Sequence, residues 1–385
     1  MRMRTRPPLR VGFDATPAVR QGAGIGRYTR ELLRALALAD TESDYRLFFA
    51  SRNPIAQPLP PLPPNFRVRQ LPVDDIWLVR VWHRLQVPAH VEWLLGPLDL
   101  FHSPDFTLPP VRRGTRTMLT VHDLSFVRDP ESATPALRDY LNVVVPRSVA
   151  RADHVLADSE ATRDDLMELY GTPAEKISVL YSGVNPVFRP VTDSATLNAV
   201  RAKYGIGPGP FILAVGTLQP RKNYVRLIQA FSNFKPPTSN LQLVLAGSKG
   251  WLYDSIFAEV ERLKLSGRVL FPGFVDDADL PALYSAARVL AYPSLYEGFG
   301  LPMLEAMACG TPVVTSNVSC MPEVAGGAAL CVPPTDVGAL AHALTQAIDD
   351  ESVRADLIVK GFARAREFTW EKAAKELVGK YHSTG

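Results

Sequence analysis

Short, almost purely apolar runs separated by helix-length stretches dominate this chain. Phe211–Val215, Leu241–Ala246, Val269–Phe271, Val289–Tyr292 and Pro312–Thr315 carry hardly a charge between their turn signals. A strand that is apolar on both faces must be covered on both faces, and strands of that kind belong to parallel sheets with helices packed above and below. The first half repeats the pattern in Arg10–Asp14, Tyr45–Phe49, Leu98–His102, Thr117–Val121 and Asp153–Ala157, with a helix over Arg27–Ala37. Such alternation predicts an α/β chain of doubly wound sheets.

A chain of 385 residues is long enough for two such sheets, each with its own core. Punctuation by Pro and Gly in Asn185–Pro190 and Gly205–Pro210 marks the connection. The expected organisation is a first domain over residues 1–190 and a second over 205–368, with a cleft between them. Two segments break the alternation. Pro58-Leu-Pro-Pro-Leu-Pro-Pro64 reads as an extended surface loop, because proline supplies no amide to a ladder or a helix. Ile76–Gln86, leading to Val91–Leu95, mixes Trp, Leu and Arg at helical intervals. It either buries one face against its own domain, the preferred reading, or rests with Trp77 and Trp82 at a lipid surface.

The balance of 42 Lys and Arg against 39 Asp and Glu leaves a net charge of +3, with no basic stripe of the kind that nucleic acid requires. Arg2, Arg4 and Arg6 precede Pro7-Pro8 and a strand rather than the apolar core of a signal peptide, and no apolar run approaches the roughly 18 residues of a membrane span. A cytoplasmic protein is expected, either free or peripheral at the inner face of the membrane. Cys309, Cys320 and Cys331 are an odd set without paired spacing, read as buried thiols in a reducing compartment and not as a metal site.

The chemistry concentrates in Ser294–Thr315. Glu297 and Glu305 flank the turn Gly298-Phe-Gly-Leu301, and a helix is expected to start near Pro302. Glycine lets the backbone approach a ligand closely, the amides and dipole of a helix start bind anions, and carboxylates accept from hydroxyls. A phosphorylated, hydroxyl-rich ligand fits that set. A second phosphate candidate, Gly216–Asn223, follows the strand Phe211–Val215 directly. There Arg221 supplies a planar fork and Lys222 a point charge, both suited to a diphosphate. In the first half, Gly22-Ala-Gly-Ile-Gly-Arg27 lacks the spacing of a dinucleotide fingerprint, since Ala15–Gln21 intervene after the strand. Gly24 and Gly26 still permit close approach to a ligand. His122 and Asp123, at the end of a strand, are better placed for chemistry than His102, which reads as structural.

These motifs, in this order, resemble the retaining glycosyltransferases of family 4, from about residue 10 to the C-terminus. Gly-Ile-Gly-Arg-Tyr28, Val-His-Asp-Leu124, Gly-Thr-Leu-Gln-Pro-Arg-Lys-Asn223 and Glu297-Gly-Phe-Gly-Leu-Pro-Met-Leu-Glu305 carry the likeness. The resemblance implies a GT-B fold, with two Rossmann-like domains facing a central cleft. The first would bind the acceptor, the second the donor, and a C-terminal helix over 369–385 would cross back onto the first. It further implies that Arg221 and Lys222 bind the donor diphosphate and that Gly298, Phe299, Gly300 and Leu301 supply backbone donors. Glu297 would hold the transferred sugar, Glu305 the ribose, and the loop Pro272–Val275 the base. His122 would lie near the sugar and Gly24 near the phosphate. Catalytic roles thus fall to Glu297, His122, Arg221 and Lys222.

No Asp-x-Asp metal signature stands in a suitable setting, in keeping with the family's metal-independent members. The implied co-substrate is a nucleotide-diphosphate sugar, GDP-mannose first, and the implied acceptor is a glycan or lipid-linked glycan of surface polysaccharide assembly. One departure is Gly327, where many relatives carry Asp. A hydrolase or epimerase on the same fold, a pyridoxal-dependent phosphorylase and a non-catalytic sugar-nucleotide binder are the competing readings.

Overall fold

The computed structural model describes residues 7–383 apart from 23, 53, 54, 56 and 234–239. Arg2, Arg4 and Arg6 therefore lie outside the described residues, as do the last two residues of the expected C-terminal helix. The chain divides into two compact units, one of Met1–Leu124, Asp139–Gly183 and Trp370–Gly385, the other of Ser125–Arg138 and Val184–Thr369.

The first unit is built on a seven-stranded parallel sheet. Its strands are β1 (Arg10–Asp14), β2 (Asp44–Ala50), β3 (Phe66–Leu71), β4 (Leu100–Ser103), β5 (Arg116–Val121), β6 (His154–Ala157) and β7 (Ile177–Val179), in the order β3-β2-β1-β4-β5-β6-β7. Val11 and Phe13 of β1 are fully buried beneath Leu32, Leu33 and Leu36 of the helix Ile25–Ala39. The last helix, Trp370–Ser383, buries Trp370, Ala374, Leu377 and Tyr381 in the same cluster. Tyr381 Oη lies 2.7 Å from His102 Nδ1, whose Nε2 lies 2.9 Å from Thr120 Oγ1. His102 is thus a satisfied core histidine.

The second unit holds a six-stranded parallel sheet in the order β10-β9-β8-β11-β12-β13. These strands are β8 (Phe211–Val215), β9 (Gln242–Ala246), β10 (Val269–Gly273), β11 (Val289–Tyr292), β12 (Val313–Ser316) and β13 (Leu330–Val332). In both sheets the order reverses beside the first strand, between β1 and β4 and between β8 and β11. In open α/β sheets such a switch point opens a crevice at the carboxyl ends of the strands, where ligands bind.

Several local expectations change. The chain passes between the units at Leu124–Ser125, Arg138–Asp139, Gly183–Val184 and Thr369–Trp370, so Ser125–Arg138, expected in the first domain, belongs to the second unit, and the stretch read as a connection contains a helix, Ser194–Lys203. Asp193 caps it, accepting from Thr196 N at 2.9 Å, and only Val200 is buried, so no apolar stripe advertises it. Cys309 and Cys320 are buried but Cys331, on the edge strand β13, is exposed, which corrects the reading of three buried thiols. The segment from Ile76 is a short α-helix, Asp75–Leu78, passing into π-helical turns over Val79–Arg84. Trp82 is buried while Ile76 and Trp77 remain exposed, so the segment divides between core and surface. Gly326 and Gly327 follow the helix Met321–Ala325 with φ of 55° and 80°, a left-handed pair at which Asp in place of Gly327 would be strained.

Candidate active site

The loop that leaves β8 passes through Gly216 into a 3-10 turn, Pro220–Lys222, and ends at Asn223 in the left-handed region with φ 59°. The amide of Asn223 ties this loop to its neighbours, because Nδ2 donates to Pro293 O at 2.9 Å and to Pro334 O at 2.7 Å. Leu295 N donates to Arg221 O at 2.8 Å. Loops from the two strands beside the switch point are thereby stitched together, and Arg221 and Lys222 meet the residues that follow β11.

Glu297 is where they meet. Arg221 Nη1 donates to Glu297 Oε2 and to Tyr296 O, both at 2.7 Å, and Lys222 Nζ donates to Glu297 Oε1 at 2.6 Å and to Tyr292 Oη at 3.0 Å. Ser319 Oγ accepts from the Glu297 amide at 3.1 Å. All three ionised side chains are largely withdrawn from water. Burial alone would raise the Glu297 carboxyl, but the charges of Arg221 and Lys222 overcome it and hold the group at about 2. Two fixed cations and one anion in a crevice of low dielectric form a strong, preorganised field.

Gly300 follows with φ 93° as the N-cap of the helix Leu301–Ala308, whose second residue is Pro302. Leu301, not Pro302, is thus the first helical residue. A Cβ on Gly300 would stand 2.8 Å from Met303 Cε. No side chain caps this helix, and the amides of Gly298, Gly300 and Leu301 have no acceptor among the described residues. Phe299 is buried edge-on to Phe368, with ring centroids 5.6 Å apart. Glu305, in the second turn, is buried and accepts from Tyr284 Oη at 2.9 Å. Val275, beyond the end of β10, is buried, whereas its neighbour Phe274 is exposed.

The remaining predicted residues belong to the first unit. Gly24, with φ 56°, is the N-cap of the helix Ile25–Ala39, and open space surrounds the position of a Cβ there. A Cβ on Gly26 would lie 2.1 Å from Gln21 O, so this glycine is required by packing. Arg30 braces the same loop by donating to Ala18 O and Gln21 O at 2.7 Å and to Gly22 O at 2.8 Å. His122 follows β5, with Nδ1 2.7 Å from Asp158 Oδ2 and Nε2 2.8 Å from Pro104 O. Both nitrogens face acceptors. Burial opposes the charge, but Asp158 and Asp105 outweigh it and raise the imidazole to about 9. His122 is therefore a donor-only cation here, not a base.

Sequence reasoning did not single out Tyr292, Ser319, Asn223, Arg30, Asp105 or Asp158. Only Asn223, following Arg221-Lys222, stands within a motif already noted. Among the described residues no three His, Cys, Asp or Glu side chains are grouped as a metal ion requires. No helix among them is long and apolar enough to cross a membrane.

The family model described as Glycosyltransferase Family 4 matches residues 22–188, and that described as Glycosyl transferases group 1 matches residues 198–364. The chain is 33% identical over 381 residues to the O-antigen chain mannosyltransferase B of Escherichia coli, covering 97% of this chain and 99% of that protein. It is 32% identical over 241 residues to the O-antigen chain mannosyltransferase RfbU of Salmonella typhimurium, covering 63% of this chain and 62% of that one. Among solved structures, sucrose-phosphate synthase from Thermosynechococcus elongatus aligns with a TM-score of 0.77 at 24% identity, covering 97% of this chain and 98% of its own. WaaG, a glycosyltransferase involved in lipopolysaccharide biosynthesis, aligns with a TM-score of 0.72 at 18% identity, covering 97% and 100% respectively. Both likenesses concern the GT-B fold.

Proposed function

The chain belongs to glycosyltransferase family 4, and from that premise we propose that it transfers mannose, with retention of configuration, from GDP-mannose to a lipid-linked glycan of surface polysaccharide. Glycosyl transfer is the activity that both matching family models name. The names of the two O-antigen relatives support mannose and a surface polysaccharide. The observation that carries the site assignment is the Glu297–Arg221–Lys222 cluster at the β8/β11 switch point, beside an uncapped helix start.

In this reading Arg221, Lys222 and the amides of Gly298–Leu301 hold the donor diphosphate. Negative charge grows on that group as the bond from sugar C1 to phosphate oxygen breaks, and fixed donors that strengthen with the charge lower the barrier. The acceptor oxygen bonds to C1 on the face the phosphate leaves, and the departing phosphate oxygen takes the acceptor's proton. Glu297 accepts hydroxyls of the transferred sugar and Glu305 those of the ribose. The base lies along Pro272–Val275, where the exposed Phe274 ring offers a stacking surface. The first unit takes the acceptor. Peripheral attachment at the cytoplasmic face of the membrane is supported by the exposed Ile76, Trp77 and Trp93.

A thermal-shift series over GDP-, UDP- and dTDP-sugars, followed by anomeric assignment of the product by NMR, tests this. GDP-mannose at about 100 times its dissociation constant should add roughly 2.7 kcal/mol, and an α-linked donor should yield an α-linked product. Donor turnover that is as fast without acceptor as with it would overturn transfer in favour of hydrolysis.

A further inference from the structure

Three cavities of unlike chemistry meet at Trp82 in the first unit. The indole is itself fixed, with Nε1 donating to Ala89 O at 2.8 Å and its ring edge-on to Phe48 at 5.8 Å. One cavity, of about 320 Å³, is an almost wholly apolar groove walled by Leu71, Trp77, Val81 and Trp93. Trp77 and Trp93 keep 53% and 61% of their surface exposed, and Ile76, Leu85 and Val87 are exposed in the same segment. Isolated apolar side chains on a surface need no explanation, but a contiguous aromatic patch around a groove marks a binding surface. Arg80 stacks on Trp77 at 5.0 Å.

The second cavity, of about 210 Å³, shares Trp82 and is lined by His83, Arg147 and Arg151, with no carboxylate among the described residues of its walls. Arg151 is anchored by donating to Leu108 O at 3.0 Å and to Pro109 O at 2.9 Å. Burial and the charges of Arg151 and Arg147 push His83 down to about 4, so that it stays neutral between two cations. An anion would relieve that repulsion. The third cavity, of about 120 Å³, shares both Trp82 and His83 and is walled by Asp14, Asp105 and Asp75, the last ion-paired at 3.3 Å with Arg20, which also lines it. It lies at the β1/β4 switch point, since Asp14 ends β1 and Asp105 follows β4. Carboxylates at a switch point are acceptors for hydroxyls.

We propose that the three cavities together hold one amphiphile. Its apolar chain lies in the Trp77/Trp93 groove, its phosphate against Arg147 and Arg151, and its sugar hydroxyls against Asp14 and Asp105. The inference deepens the reading of a lipid-linked acceptor and rests on it. A peptide would suit the groove alone, and a free anion the arginines alone. Only a lipid carrying a glycan through phosphate needs all three surfaces side by side.

The test is a binding measurement on the full chain, which reads independently of transfer. Farnesyl diphosphate, farnesol and inorganic pyrophosphate are titrated by tryptophan fluorescence and calorimetry. Farnesyl diphosphate should bind at least about tenfold more tightly than either fragment. Arg147→Gln, at an exposed position, should weaken it about tenfold, as expected for loss of a charge-assisted contact. Trp77→Ser with Trp93→Ser should weaken farnesol and farnesyl diphosphate alike. Pyrophosphate binding as tightly as farnesyl diphosphate would overturn the proposal in favour of an anion site. An undiminished affinity in Arg147→Gln, or a loss reproduced by Arg221→Ala, would overturn it by moving the diphosphate elsewhere. If these bindings hold while no sugar is ever transferred, the enzymatic reading fails and the lipid site stands.

Discussion

Replacing Glu297 with Gln removes one charge and almost no volume from a site where two cations depend on it. The carboxylate sits at about 2 against an ordinary 4.5 despite its burial, so its charged neighbours favour the ionised form by about 3 kcal/mol net. Glu297→Gln forfeits that and removes the carboxylate with which Arg221 and Lys222, with side chains only 16% and 10% exposed, are ion-paired. The variant should lose about 3 kcal/mol, or roughly 6–12 °C of thermal midpoint for a unit of this size. Saturating nucleoside diphosphate supplies the missing anion, so the thermal shift it produces should be larger in Glu297→Gln than in the parent. Transfer, in which Glu297 is proposed to hold the sugar, should fall roughly 10- to 100-fold.

The pH dependence has a fixed sign. A carboxyl depressed on folding contributes stability that is complete above about 4.5 and disappears as pH falls through about 2. The stability gap between parent and variant should close over that window. A variant that loses stability and its response to diphosphate together would refute the reasoning, because Glu297 would then merely hold the loop in shape.

Two further outcomes follow from the packing. His122 is raised on folding to about 9 from 6.5, so its stabilisation by Asp158 is complete below pH 6.5 and is lost as pH rises through 9. Urea titrations should show the cost of Asp158→Asn shrinking over that interval, and a constant cost would contradict an imidazolium at this position. A Cβ on Gly247 would lie 2.0 Å from Gly216 O, so Gly247→Ala should cost about 1–3 kcal/mol and raise the donor KM by displacing the loop that carries Arg221 and Lys222. An unchanged KM would detach that loop from the donor.

Strands buried on both faces were legible because their composition alone demands two covering layers. Phe211–Val215 and Val289–Tyr292 have the bounds expected of them. Edge strands escaped notice for the converse reason. In Phe66–Leu71 only Phe66 is buried, and Arg67, Arg69 and Gln70 face solvent, so no apolar run announces the strand. The helix Ser194–Lys203 hides behind flanking prolines and glycines in the same way. At the site, Glu297, Arg221 and Lys222 were each visible as a charged residue on a loop after a strand. Their union in one ion-paired cluster was not, because it depends on β8 and β11 being neighbours although 73 residues separate the end of one from the start of the other (289 − 216). Asp158 escaped as the partner of His122 for a like reason, since only the pairing of β5 with β6 brings them together.

The cluster's internal pairing bears on how such a site survives between turnovers. Two buried cations side by side repel one another, and unpaired charge in a low-dielectric crevice is costly. Glu297 removes that cost by accepting from both at 2.7 and 2.6 Å. A diphosphate bearing more charge than one carboxylate can draw the cations toward itself, which frees the Glu297 oxygens to accept sugar hydroxyls. In this reading the group that neutralises the resting site becomes the group that holds the substrate. Binding of diphosphate and orientation of sugar are then coupled through Arg221 and Lys222, and a nucleoside diphosphate lacking the sugar should leave Glu297 underused. A donor sugar should therefore stabilise the parent protein more than its diphosphate does, and that difference should vanish in Glu297→Gln.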